Sequence, residues 1–98
     1  MVFGWFDARE AEEFGLILAE KFAQQFPPIK LGKEKDSERK RAEFVQHLFL
    51  QVRHFKQSHK LNLFKKAKLG NTFKWRLLDL GYDPTFVDQL TKELLVEV

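Results

Sequence analysis

Apolar residues recur along this chain at spacings of three and four, the mark of helices that each bury one face. Ala11, Phe14, Leu18, Phe22 and Phe26 form the first such stripe. Asp7 and Glu10, spaced as in a capping box, predict where its helix begins. Phe26-Pro27-Pro28 predicts where it stops, because the residue before a proline is pushed out of the α region. A second stripe runs through Val45, Leu48, Phe49, Val52 and Phe55, widened by Phe44, with Asp36 or Ser37 as its N-cap. Residues 27–36 hold Pro27, Pro28, Gly32 and the run Lys33-Glu34-Lys35-Asp36, so they read as a charged loop.

The C-terminal half is more broken. Ser58 or Asn62 interrupts the pattern, and a short helix from Asn62 to Leu69 is expected to end at Gly70, a natural residue just past a helix. Asn71 or Thr72 then caps a further short helix that turns Phe73, Leu77 and Leu80 inward and closes at Gly81. Asp83-Pro84 opens the last helix, with Phe86, Val87, Leu90, Leu94 and Leu95 along its apolar side. No segment alternates as a half-buried strand does. The expected fold is all-α: one domain over residues 1–98, a compact bundle of four to five helices, preceded by an apolar N-terminal arm at residues 1–6. A chain this short buries only about 60–65% of its unfolded surface, so its core must be efficient. Eleven Phe, two Trp and one Tyr among 98 residues predict a core rich in Phe.

Charge adds a feature that periodicity does not show. From Phe44 to Leu78 there is no Asp or Glu, while Arg53, Lys56, Lys60, Lys65, Lys66, Lys68, Lys74 and Arg76 all fall inside. Residues 1–26 carry five acids against two bases, and residues 79–98 five against one. The net charge of +3 therefore hides a basic centre between acidic ends. Within it, Lys65-Lys66-Ala67-Lys68-Leu69-Gly70-Asn71-Thr72-Phe73-Lys74-Trp75-Arg76 places an aromatic between two cations beside an expected joint at Gly70-Asn71. Clustered cations bind phosphates by releasing counterions, helix amides near Thr72 would add donors, and a Trp can stack on an unpaired base. The expected site is thus Arg53, Lys56, Lys60, Lys65, Lys66, Lys68, Lys74, Trp75 and Arg76, and the expected partner a nucleic acid or an acidic protein surface. If the acidic end helices pack against this region instead, they cancel its outward field.

Other chemistry has little to stand on. Without Cys there is no disulfide, no thiolate metal site and no Cys nucleophile, which fits a reducing, cytoplasmic setting. His47 and His54 are two helical turns apart, about 10 Å, too far to share one metal ion. His54 and His59 point about 140° apart on a continuous helix. No Gly-rich phosphate loop or nucleophile motif is present, so neither an enzyme nor a bound metal or cofactor is expected. No apolar run approaches the roughly 20 residues that span a bilayer. The apolar start lacks a basic region and meets Asp7, Arg9 and Glu10 at once, unlike a secretory signal. Phe3, Trp5 and Phe6 could instead anchor a protein partner or a second copy of the chain. Contact of that arm with a membrane surface is a third expectation.

Residues 73–98 have the outline helix, turn, helix, which DNA-binding helix-turn-helix proteins share. Here the second helix carries Asp88, Glu93 and Glu97 against Lys92, a poor match to a DNA groove. The turn Leu80-Gly81-Tyr82 resembles the Met-Gly-Phe/Tyr turn between the first two helices of ubiquitin-associated domains. That resemblance covers about a quarter of the chain and lacks a third helix after it, so it assigns no residue a role.

Overall fold

Four α-helices follow one another in the computed structural model, which describes residues 8–28, 37–58 and 62–97: α1 (Arg9–Gln25), α2 (Ser37–Ser58), α3 (Leu63–Asp79) and α4 (Pro84–Glu97). The described residues contain no strand. α1 ends where the Pro27-Pro28 pair predicts. Phe26 leaves the helical region at φ −130°, and its N–H closes the last turn on the Phe22 carbonyl at 2.8 Å. At the other end Ala8 occupies the N-cap position and supplies no side-chain acceptor; the expected Asp7 cap, like Asp36 before α2, lies outside the described residues.

The expected break at Gly70-Asn71 is absent. α3 runs unbroken from Leu63 to Asp79, and its N-cap is Asn62, whose side chain accepts the Lys65 amide at 2.8 Å. Gly70 leaves room for a neighbour rather than making a turn. A Cβ there would lie 2.8 Å from a methyl of Leu95, so the missing side chain lets α4 approach. At the adjoining residue, a Cβ on Gly15 of α1 would lie 2.6 Å from the Leu69 carbonyl oxygen. α3 is thus gripped at neighbouring residues by α1 on one side and α4 on the other, and the α1–α3 contact is the most extensive in the bundle.

The end of α3 is built on a glycine of the other kind. Gly81 has φ +100°, the left-handed region that a Cβ penalises. Around it the Gly81 amide donates to Leu78 and the Tyr82 amide to Leu77, the paired bonds of a Schellman motif. The motif turns Tyr82 inward, where its ring lies 5.6 Å from Phe22 and its hydroxyl donates to the Phe26 carbonyl. The α3–α4 turn is thereby tied to the C-terminus of α1. Burial pushes the Tyr82 hydroxyl pKa up to about 12. Asp83 then caps α4 through the Phe86 amide at 3.1 Å, with Pro84 as first helical residue.

The core follows the stripes. Leu18, Phe22, Val52, Leu69, Phe73, Leu77, Val87 and Leu94 are almost fully buried. Phe14 of α1 stacks on Phe55 of α2 at 4.3 Å, and Phe26 meets Phe44 edge-on at 5.7 Å, so aromatic pairs join these two helices. Nine Phe fall among the described residues, and eight belong to or pack on this core; Phe64 alone does not.

Candidate anion-binding surface

The basic centre is distributed over two helices. Arg53 and Lys56 lie near the end of α2; Lys65, Lys66, Lys68, Lys74, Trp75 and Arg76 lie on α3; Lys60 lies outside the described residues. On α3 five cations accompany a single carboxylate, Asp79. At 100° per residue they do not share one face. Lys65 and Arg76 turn toward α1, Lys68 and Trp75 toward solvent beside it, and Lys74 toward the far side.

The acidic end helices reach into this region and pair with three of its members. Lys68 Nζ lies 3.6 Å from Glu12 of α1, and Arg76 Nη2 lies 3.1 Å from Glu20, about two turns further along α1. Arg53 Nε donates to Glu97 of α4 at 2.8 Å. That hydrogen bond holds the Glu97 carboxyl below its ordinary range, with the charges of Arg53 and Lys56 acting in the same direction. The acid-free stretch therefore does not fold into one uncompensated patch. Lys56, Lys65, Lys66 and Lys74 make no ion pair among the described residues.

Near the start of α2, Arg39 pairs with Glu43 at 3.4 Å and Arg41 lies over the Phe86 ring at 5.2 Å. Intramolecular partners thus account for Arg39 and Arg41, two of the three successive cations Arg39-Lys40-Arg41 in the first turn of α2. The continuity of α3 removes another part of the expected site. Thr72 is mid-helix, so its amides belong to the helix and offer nothing to an anion.

Trp75 does stand in the open. It is 60% exposed, and the ammonium of Lys74 lies 5.9 Å from its ring centre. Beside it an open groove of about 430 Å³ runs between α1 and α3, bounded by Leu16, Lys68, Asn71, Thr72, Trp75, Arg76 and Asp79. The Glu12–Lys68 and Glu20–Arg76 pairs stand at its two ends. Phe64, 53% exposed, is the aromatic that sequence reasoning missed. In a chain with so many Phe, each reads as core until its surroundings are known.

The histidines are not brought together among the described residues. His47 and His54 are both exposed on α2, and His59 lies outside the described residues. Among the described residues no three His, Cys, Asp or Glu side chains gather as a metal site would require, and no helix is long and apolar enough to cross a membrane. Phe3, Trp5 and Phe6 lie outside the described residues. No family model, curated protein or solved structure matches this chain.

Proposed function

We propose that this protein is a non-enzymatic helical module that binds an anionic partner, a nucleic acid or an acidic protein surface, through its basic central region. The observation that carries this reading is α3 itself, where Lys65, Lys66 and Lys74 make no ion pair among the described residues and Trp75 is open to solvent. Each phosphate or carboxylate met by such cations releases condensed counterions or gains a screened attraction, so affinity falls steeply with salt. Lys68 and Arg76 join the surface when a polyanion displaces Glu12 and Glu20. Exposed pairs of that kind are worth about 0–1 kcal/mol and yield to a multivalent competitor.

The test is binding to heparin, a generic polyanion, titrated with salt. Reversal of both lysines, Lys66→Glu with Lys74→Glu, is expected to abolish retention while leaving the melting temperature nearly unchanged, because neither side chain belongs to the core. Heparin binding that survives in the double variant refutes this surface.

A further inference from the structure

The chemistry of that surface favours one class of anion, and the inference rests on the anion-binding reading above. We propose that the solvent face of α3 binds single-stranded nucleic acid, with Phe64 and Trp75 as two stacking platforms and Lys68 between them contacting the strand's phosphates.

Three observations converge. Eight of the nine described Phe are used in the core, so the exposure of Phe64 is an exception that packing does not explain. Phe64 and Trp75 are eleven residues apart on one unbroken helix, which puts them about 20° apart in direction and about 16 Å apart along the axis. The expected break at Gly70 would have uncoupled the two rings; the continuity of α3 aligns them. Lys68 lies one turn after Phe64 and within about 40° of both rings, and Asn71 follows on the same side. Finally, Lys68 stands on the line of the rings, and Lys74 and Arg76 flank Trp75 at about 100° to either side, so a strand laid along the rings meets cations on and beside its path.

Neither ring nor charge alone selects the ligand; the combination does. A base offers a flat apolar face to an aromatic ring, a contact worth a substantial part of single-strand affinity in proteins that bind without sequence preference. In a duplex those faces are stacked inside, and an acidic protein surface presents none. Lys74, poised over Trp75, puts a positive charge where the phosphate of a stacked nucleotide falls. At about 3.4 Å per stacked nucleotide the two rings stand roughly five steps apart, so a strand shorter than that engages only one of them. Short strands are therefore expected to bind much more weakly than strands that reach both rings.

The experiment uses the full chain with Trp5→Phe, so that Trp75 is the sole indole, and titrates it with oligo(dT) of about 15 nucleotides, within the range of known single-strand sites. A mixed-sequence duplex of equal length and heparin serve as comparisons. Single-strand binding is expected to quench Trp75 emission. Phe64→Ala is expected to weaken it by about five- to hundredfold, Phe64→Leu nearly as much, and Phe64→Trp to restore it. Duplex and heparin affinity are expected to change by less than about twofold in the same variants. The two exposed aromatics contribute little to the core, and circular dichroism checks that each variant stays folded. Unquenched emission, or single-strand affinity indifferent to Phe64, overturns the proposal. If heparin and duplex then still bind through Lys66 and Lys74, the anion-binding reading stands without the stacking. Absence of binding to all three polyanions at low salt removes both.

Discussion

Two glycines that occupy similar places in helices are expected to respond in opposite ways to the same methyl group. Gly15→Ala and Gly70→Ala each gain about 1 kcal/mol from helix propensity, because alanine loses less backbone freedom on folding. The local geometry decides the rest. At Gly15 the new Cβ would sit 2.6 Å from the Leu69 carbonyl oxygen and 3.3 Å from the Thr72 Cβ. Carbon and carbonyl oxygen rest at about 3.3 Å or more, so α1 and α3 must separate by roughly 0.7 Å. The obstacle is backbone of a helix that α4 holds from the other side, and it cannot rotate away. Overpacking of this kind costs about 1–3 kcal/mol, and a gap of that width forfeits a quarter or more of the dispersion energy of the atoms it parts. The bundle's largest interface bears that loss. Net destabilisation of about 1–2 kcal/mol is expected for Gly15→Ala, a fall of roughly 5–15 °C in melting temperature.

At Gly70 the neighbours are atoms of the Leu95 side chain, at 2.8, 3.3 and 3.4 Å. Leu95 is 41% exposed, and its tip can swing into solvent at a cost of about 0.5–1.5 kcal/mol. That offsets the propensity gain, so Gly70→Ala is expected to stay within about 0.5 kcal/mol of the parent protein. Urea unfolding followed by far-ultraviolet circular dichroism measures both, with equal slopes confirming that the midpoint alone has moved. A Gly15→Ala protein as stable as its parent, or a Gly70→Ala protein that falls as far, refutes the packing argument.

Two further perturbations probe polar groups in the core. Tyr82 folds with its hydroxyl neutral and pKa raised to about 12 from 10.0, so its contribution is complete below pH 10 and declines as the pH rises from there toward 12. Tyr82→Phe is expected to cost about 1 kcal/mol at neutral pH, by leaving the Phe26 carbonyl unpaired, and to flatten the alkaline loss of stability; a variant with the same alkaline profile as its parent refutes the assignment. The Thr91 hydroxyl is buried on α4 without a hydrogen-bond partner among the described residues, so Thr91→Val, equally branched and without the hydroxyl, is expected to raise stability by about 1 kcal/mol in thermal unfolding. A loss of stability there would mean that the hydroxyl has a partner after all.

The helices were legible in the sequence because their causes are local. Apolar spacing, the Pro27-Pro28 stop, the Asp83-Pro84 start and the Gly81 turn each act within one or two turns of chain. Gly70 was not legible, because a glycine that ends a helix and a glycine that admits a neighbouring helix look alike in one dimension. What separates them is Leu95, twenty-five residues further along. The partners of the basic centre were hidden for the same reason. Glu12 and Glu20 meet α3 across 56 residues of sequence, and Glu97 meets Arg53 across 44. Composition could show opposite charges at the ends and the middle, but only the packing of α1 on α3 sets them face to face.

That packing also orders what remains of the candidate surface. The contact through Gly15 puts Glu12 and Glu20 beside Lys68 and Arg76, and so draws two cations toward α1. The continuity through Gly70 leaves Phe64 and Trp75 in line on the side that α1 and α4 do not cover. The glycines that let α1 and α4 close on α3 therefore also decide which of its side chains are given to the fold and which face water. A sequence reading that ranks α3 residues by charge puts Lys68 and Arg76 level with Lys74. The tertiary structure ranks them differently, because Lys68 and Arg76 must exchange a carboxylate for a new anion, whereas Lys65, Lys66 and Lys74 exchange only water and counterions. A partner that gains from the rings as well as from the charges can drive that exchange; one that offers charge alone meets the competition of α1 at Lys68 and Arg76.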